Sequence, residues 1–407
     1  MKLAEPRPIK DYCLGIFDGP HATPKESHDG PVFLGIKNVT EDGQLDLSEI
    51  RHVSEEEYPR WTRRVTPQSG DVVFTYEATL HRYALIPEGF RGCLGRRVAL
   101  VRPDPKQVDS RYILYFFLSR RWRDVVESNV ITGATVDRIP LEKFPSFPVG
   151  LPRLDVQQRI ADILSAYDYR IENNRRRMAL LEETARQLYR EWFVRLRFPG
   201  HEHTRVTNGV PDGWKRRPLE SCVKFRSGGT PSKQRSEYWE GDIPWVSSGE
   251  MTETRMYDTP LHVSQEAAEE GSRLAPAGTI LIVVRGMSLA KECRISVVTR
   301  DMTFNQDLKA LVCEPDVDSE FLFHALLALR EYIRDLATEA SHGTKKLDTA
   351  VLERLPILVP QPRLQRRFRE SLEALNAQRD NLHWQNEKLR AARDLLLPRL
   401  MSGEIAA

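Results

Sequence analysis

No C-x-x-C pair occurs among the five cysteines, Cys13, Cys93, Cys222, Cys293 and Cys313, so neither a zinc ribbon nor a dithiol redox motif is indicated. Reduced, buried thiols of a cytoplasmic protein are the expectation. No apolar run approaches the roughly 18 residues of a membrane span. The opening MKLAEPRPIK lacks the apolar core of a secretion signal, so no membrane role is expected. The phosphate-binding pattern G-x-x-x-x-G-K-[S/T] is absent, and no G-x-G-x-x-G follows a strand. Gly89, Gly92 and Gly95 are spaced by threes and read as a loop. Neither Asn-Pro-Pro nor Asp-Pro-Pro occurs, the element with which DNA amino-methyltransferases hold a flipped base. His201-Glu202-His203 is too short for H-E-x-x-H and follows Pro199-Gly200, so it reads as a solvated linker. No catalytic residue, metal site or cofactor of the chain's own is predicted. The net charge is only +2, so any nucleic-acid contact must come from local basic clusters.

What is present is a chain written twice. With 407 residues, more than one core is expected. Gly70-Asp71-Val72-Val73-Phe74 resembles Gly278-Thr279-Ile280-Leu281-Ile282, an offset of 208. Val108-Asp109-Ser110 matches Val317-Asp318-Ser319 at 209. Gly133 with Phe144-Pro145 matches Gly343 with Leu355-Pro356, and Gln157-x-x-Ile160 matches Gln365-x-x-Phe368. Four matches in order and near-constant register define an internal repeat. Each copy opens with about 150 mixed residues. It carries β-rich runs such as Val72-Val73-Phe74-Thr75-Tyr76 and Thr279 to Val284, then helical patches over Ser110 to Ser119 and Ser319 to Leu336.

Each copy closes on a long helix. From Leu154 to about Leu196 there is no Pro or Gly, with Pro152 before and Pro199-Gly200 after. Leu164, Ile171, Met178, Ala185 and Trp192 form one heptad row; Ile160, Tyr167, Asn174, Leu181 and Leu188 form the other. These are two seams of a coiled coil, with Asn174 a polar intruder that can fix register. The second helix is predicted over about Leu364 to Leu397, with Pro398 and Gly403 punctuating its end. Phe368, Leu375, Leu382, Leu389 and Leu396 make a dry row; Leu372, Arg379, Asn386, Arg393 and Leu400 make a wet one. A helix of about 40 residues is about 60 Å long and cannot bury its stripe on a small domain alone. The two helices are expected to pair antiparallel within the chain, with the mixed halves at opposite ends. Packing on its own half, or pairing with another chain, is the other reading. The fold expected is α+β: two mixed α/β domains in pseudo-twofold repeat, over 1–150 and 201–356, joined by helices over 151–200 and 357–407.

Leu151-Pro152-Arg153-Leu154 through Ala166-Tyr167-Asp168, then Ile171-Glu172-Asn173-Asn174-Arg175 and Trp192-Phe193 to Pro199-Gly200, closely resemble the first long helix of type I restriction specificity subunits. Leu396-Leu397-Pro398 to Glu404-Ile405 resembles that family's final helix. Asp18-Gly19-Pro20 to Pro24, Ile36-Lys37-Asn38-Val39, Ser227-Gly228-Gly229-Thr230-Pro231-Ser232 and Ile243 to Gly249 are similar to openings of its target-recognition domains. The resemblance implies that each mixed half reads one half of a split, asymmetric double-stranded DNA target. It implies that the helices set the spacing and dock two methyltransferase subunits, joined by restriction subunits. S-adenosylmethionine, ATP and magnesium are then expected on those partners.

Phosphate contacts from Arg and Lys would hold the duplex, and side chains reaching base edges would read it. In the first half the candidates are Arg60, Arg63 and Arg64 around Trp61, with Tyr76 on the adjoining strand. A surface loop anchored by a core Trp61 is the competing reading. In the second half they are Arg226, Ser227, Gly228, Gly229, Thr230 and Lys233, a loop suited to a sugar-phosphate chain or a plain turn. Ser247, Ser248, Arg285, Asn305, Gln306, Lys345 and Lys346 complete the set. Asn305-Gln306 suits adenine or a turn cap. Arg175-Arg176-Arg177, Arg186 and Arg190 read as solvated helix faces or partner contacts, and Arg379 and Arg393 as partners for acids on the first helix or for a methyltransferase. Two rival classes are a fused methyltransferase-nuclease with unrecognised motifs and a coiled-coil scaffold without a DNA role.

Overall fold

Val72–Thr75 and Ile280–Val283 are the strands around which the two halves fold, and every residue in both is buried. In the computed structural model, which describes residues 5–25, 27–133, 136–341 and 343–406, the chain forms two compact units. One comprises Met1–Arg175 with His383–Ala407, the other Arg176–Leu382. Each unit therefore holds one mixed half and a stretch of both long helices. Residues 1–4, on which the reading of the N-terminus partly rests, lie outside the described residues.

In the first unit the strand order is Cys13–Asp18, Val98–Pro103, Val72–Thr75, Tyr83–Leu85, all antiparallel. Both faces of this sheet are covered, which is why Val72–Thr75 reads as a continuous apolar run. Val72 and Phe74 enter a core with Tyr112, Phe117 and Trp122. Val73 enters another with Leu34, Leu94 and Leu100. The helix Ser110–Leu118 lies in the first of these, started by Asp109, whose carboxylate accepts from the amides of Arg111 and Tyr112. The second unit repeats the device. Its five-stranded sheet runs Val223–Ser227, Leu308–Cys313, Ile280–Val283, Ile295–Val298, Arg255–Met256. Ile280 and Ile282 face a core with Phe321 and Leu322, while Leu281 and Val283 face one with Val246 and Phe304. Asp318 caps Ser319–Ala328 as Asp109 does its helix.

The most faithful repeat is a buried glutamine. Gln157, on the central helix, accepts from the Asp109 amide at 3.1 Å and donates to the carbonyls of Gln107 and Pro152 at 3.0 and 2.8 Å. Gln365, on the C-terminal helix, accepts from the Asp318 amide at 2.7 Å and donates to those of Asp316 and Pro360 at 3.3 and 2.8 Å. Each side chain is 1% exposed. Each fixes a long helix to the cap of the helix in its own mixed half, so the sequence match Gln157/Gln365 marks a joint.

The central helix spans Leu154–Tyr189 and widens into one π turn, Arg190–Val194. Left-handed residues at Leu196 (φ 57°) and Gly200 (φ 94°) then turn the chain away. The C-terminal helix spans Pro362–Ser402. The expectation that Pro398 ends it is corrected: Pro398 lies inside the helix and Gly403 (φ 77°) ends it. Leu400 and Met401, 2% and 4% exposed, bury in the first unit's core. Their burial offsets the single backbone bond that proline forfeits near a helix end.

The helices pair antiparallel within each unit. In the first, Arg393 donates to Asp168 at 2.5 Å, and Asn174 Nδ2 donates to Asn386 Oδ1 at 2.9 Å. Asn386 Nδ2 also reaches the Ile171 carbonyl at 3.4 Å. Ile160 and Leu164 share a core with Leu400 and Met401, with Leu396 at its margin. In the second unit Arg379 donates to Glu182 at 3.0 Å, and the Phe193 and Phe368 rings meet edge to face, centroids 5.0 Å apart. Ala185, Tyr189 and Leu372 complete that seam, with Leu188, Trp192 and Leu375 packed against it. Ile171 and Leu382 are buried, while Tyr167, Met178, Leu181 and Leu389 are half-buried. One expectation is overturned. The row read as wet is dry: Leu372, Arg379, Asn386 and Leu400 are 0, 6, 2 and 2% exposed. Its polar members escape water because each finds a partner on the central helix.

Candidate nucleic-acid interface

In the second half, the ends of several strands gather the predicted polar residues. The turn Asn305-Gln306-Asp307 follows Met302–Phe304, which lies parallel to Ile243–Val246, so the turn and Ser247-Ser248 emerge at the same end. The Asn305 amide donates to the Val246 carbonyl at 2.9 Å. Gln306 Oε1 accepts from the Thr230 hydroxyl at 2.8 Å, drawing in the loop after Val223–Ser227. The Asp307 carbonyl accepts from the amides of Val284 and Arg285 at 2.9 and 3.3 Å. Arg285–Gly286 pairs with Thr344–Lys346, which pairs with Thr338–Ser341; in register Arg285 faces Lys346 and Gly286 faces Lys345. Thr230, Ser247, Ser248, Arg285, Gln306, Lys345 and Lys346 are thus linked through these strands and turns, and each is partly or fully exposed. Met287, 74% exposed, projects beside it. Arg226 and Lys233 are exposed along the Thr230 loop, and Ser227 accepts from Lys309 at 2.6 Å.

Three second-half expectations are corrected by packing. A Cβ on Gly228 would lie 2.1 Å from the Phe304 carbonyl oxygen, and one on Gly229 2.5 Å from that of Gly271. The glycines therefore serve a close approach to the protein's own backbone rather than to a sugar-phosphate chain, and Gly229 spends its amide on Phe304 and its carbonyl on Trp245. Asn305 is buried, with Oδ1 accepting from the Asp307 amide and Nδ2 donating to the Asp307 carboxylate, so it caps its turn.

The first half presents a different surface. Arg60 and Arg63 are exposed on and after the short helix Tyr58–Trp61. Trp61 is a core anchor, 4% exposed and edge-on to Phe33 at 5.4 Å, so it offers no stacking face. Arg64 pairs with Asp18 at 2.5 Å, and His21 lies 3.2 Å from the same carboxylate. Tyr76 is withdrawn as a direct reader: it is 4% exposed, and burial, with Asp18 and Glu77 adding to it, raises its pKa. Glu77 pairs with Arg138, which pairs with Ile131. Moved by 208, Glu77 and Arg138 fall on Arg285 and Lys346, and Ile131 falls one residue beyond Thr338, so the two ladders match in arrangement. Arg97, ion-paired to Glu77 at 2.8 Å, has φ 69°, and Ala78 and His81 in the neighbouring hairpin have φ 70° and 62°. Three non-glycine residues in the left-handed region concentrate backbone strain there, as binding elements often do. Arg97 and Arg138 were missed; applying the offset 208 to Arg285 and Lys346 would have pointed to Glu77 and Arg138.

Among the described residues no group of His, Cys, Asp or Glu could hold a metal ion, and His201 is engaged with the Phe198 carbonyl at 2.9 Å. All five cysteines are free thiols, and burial raises the pKa of each, those of Cys13, Cys93, Cys293 and Cys313 to about 12. No helix among the described residues is long and apolar enough to cross a membrane.

The sequence pattern of the family described as "Type I restriction modification DNA specificity domain" matches residues 47–183 and 211–390, once in each half. The MjaIX type I restriction enzyme specificity subunit of Methanocaldococcus jannaschii is 25% identical over 98% of this chain and 88% of its own length. The EcoR124I/EcoR124II specificity subunit of Escherichia coli is 32% identical over 39% of this chain and 40% of its own. A crystal structure of the type I restriction-modification S subunit from M. genitalium shares the fold, with a TM-score of 0.53 at 17% identity over 97% of this chain and 95% of that one.

Proposed function

That the chain belongs to the family of type I restriction-modification DNA specificity subunits is the premise from which we propose how it works. Each mixed half binds one half of a bipartite, asymmetric duplex target, and the paired helices hold the spacing. The observation carrying this reading is that one framework, the 285/346/338 ladder and its counterpart 77/138/131, presents unlike chemistry in the two halves. One offers Arg285 against Lys346, the other Glu77 against Arg138. Such a pair of heads would read two different half-sites. Arg285, Lys345 and Lys346 would clamp phosphates, with Gln306, Ser247 and Ser248 near base edges; in the first half Arg60, Arg63 and Arg138 would hold the backbone. The chain supplies selection and no chemistry. Two methyltransferase subunits docked on the helices would bring S-adenosylmethionine, and restriction subunits would bring ATP and magnesium, in the cytoplasm. Neither a fused enzyme nor a DNA-free scaffold accounts for paired, unlike basic surfaces.

Lys345→Ala with Lys346→Ala should weaken duplex binding about equally on all sequences and flatten its salt dependence by about one counterion per lost phosphate contact. Fluorescence anisotropy of the chain with its methyltransferase partner, across a salt series, measures both. Unchanged affinity and slope would remove these lysines from the interface.

A further inference from the structure

The polar residues buried between the helices carry a charge pattern that divides by helix. Asp168 meets Arg393, side chains 18% and 12% exposed, and Glu182 meets Arg379, 20% and 8% exposed. Asp168 and Glu182 are 14 residues apart on the central helix, and Arg379 and Arg393 are 14 apart on the C-terminal one, so acids and bases stand at the same two-heptad spacing. Asn174 and Asn386, which meet each other, lie between the charged residues of their helices. The central helix carries the acids of this seam and the C-terminal helix the bases, while each carries an asparagine between its two charges.

The consequence lies in what each helix could otherwise bind. A central helix set antiparallel against a second copy of itself, in the equivalent register, would face Asp168 with Glu182 at both contacts. Two C-terminal helices would face Arg379 with Arg393. Asn386 would meet its own copy at the midpoint of the C-terminal pairing, and Asn174 would lie one residue from the midpoint of the central pairing at 175. A slip by one heptad that avoided the clash would part the two asparagines and leave a buried amide without a partner. The asparagines thus hold the register in which the charges discriminate, and like charges facing each other in a dry seam are strongly disfavoured. These ion pairs are also tied down from outside the seam: Tyr115 donates to Asp168 at 2.5 Å and Arg379 donates to Thr254 Oγ1 at 3.1 Å.

We infer that Asp168, Glu182, Arg379 and Arg393 form a pairing code by which the central helix accepts the C-terminal helix of its own chain and rejects a second copy of itself. A chain carrying two similar apolar-striped helices is otherwise free to exchange them between copies, which would join heads reading the same half-site.

The test uses the full chain in four forms. The wild type should run as a monomer and should not exchange with a differently tagged copy on prolonged mixing. Arg379→Glu with Arg393→Asp makes both helices acidic, and Asp168→Arg with Glu182→Arg makes both basic. Each alone should lose thermal stability or leave the monomer state in light scattering, and the two co-expressed should form a one-to-one complex. All four substitutions together restore opposite charges and should return the monomer and most of the lost melting temperature. The inference is overturned if either two-residue variant matches the wild type, if no mixed complex forms, or if the four-residue reversal is as damaged as its halves.

Discussion

Single residues in this protein are decided by what surrounds them more than by what they are. His324 is an example. It lies 4% exposed on Ser319–Ala328, stacked near Tyr189, with Phe368 edge-on and Nε2 4.0 Å from Glu320. Burial holds its pKa down to about 3, and Arg379, Arg186 and Arg255 add to the effect. The folded state therefore keeps the imidazole neutral where the unfolded chain protonates it. Below about pH 6.5 unfolding takes up a proton, so stability falls as pH drops from about 6.5 towards 3. Urea midpoints of the wild type should fall across pH 6.5 to 5, and His324→Gln should flatten that decline; parallel slopes would contradict the assignment. The same dependence on surroundings explains where residue-level reading of the sequence ended. Asn305 and Gln306 are chemically near-identical and adjacent, yet one caps a turn and the other stands at the surface. Tyr76 and Trp61 belong to residue types common at interfaces, but Trp61 packs on Phe33 and Tyr76 lies in the first unit's core with Phe74 and Tyr83. Composition alone does not distinguish these cases, because long-range packing makes the choice.

Elements were far more legible, because periodicity reports burial directly. The four-residue runs at Val72 and Ile280 marked strands covered on both faces, and the heptads marked the helices. What periodicity could not supply was the state of the polar members. Arg379 and Arg393 were legible as partners for acids on the first helix, and Glu182 and Asp168 are those acids, but which acids, and the pairing of Asn386 with Asn174, rest on contacts more than 190 residues distant. Pro398 likewise read as a stop because the burial of Leu400 and Met401 beyond it is a tertiary fact. The joint between element and domain was visible as a match, Gln157 with Gln365, without its meaning. Replacing either by Ala leaves a cap amide and two carbonyls buried and unpaired, and each should cost about 1–3 kcal/mol. Chemical denaturation should show comparable losses at the two positions, since their hydrogen bonds are the same. A loss at only one would mean that the two joints are not equivalent.

At the scale of the whole molecule, duplication explains both the likeness and the difference between halves. The parts that repeat are those that hold: strands, caps, glutamine joints and seams. The parts that differ are the exposed ones, Glu77 and Arg138 against Arg285 and Lys346, and the seam charges, acidic on one helix and basic on the other. A scaffold kept under selection for shape, with surfaces free to diverge, yields two readers on one plan. The most direct test is the DNA target selected by the chain together with its methyltransferase subunits, compared with the target of a variant carrying Arg285→Ala, Lys345→Ala and Gln306→Ala. The account predicts a split, asymmetric sequence with a fixed gap, of which the variant relaxes one half only. A continuous or palindromic target, or equal relaxation of both halves, would contradict it.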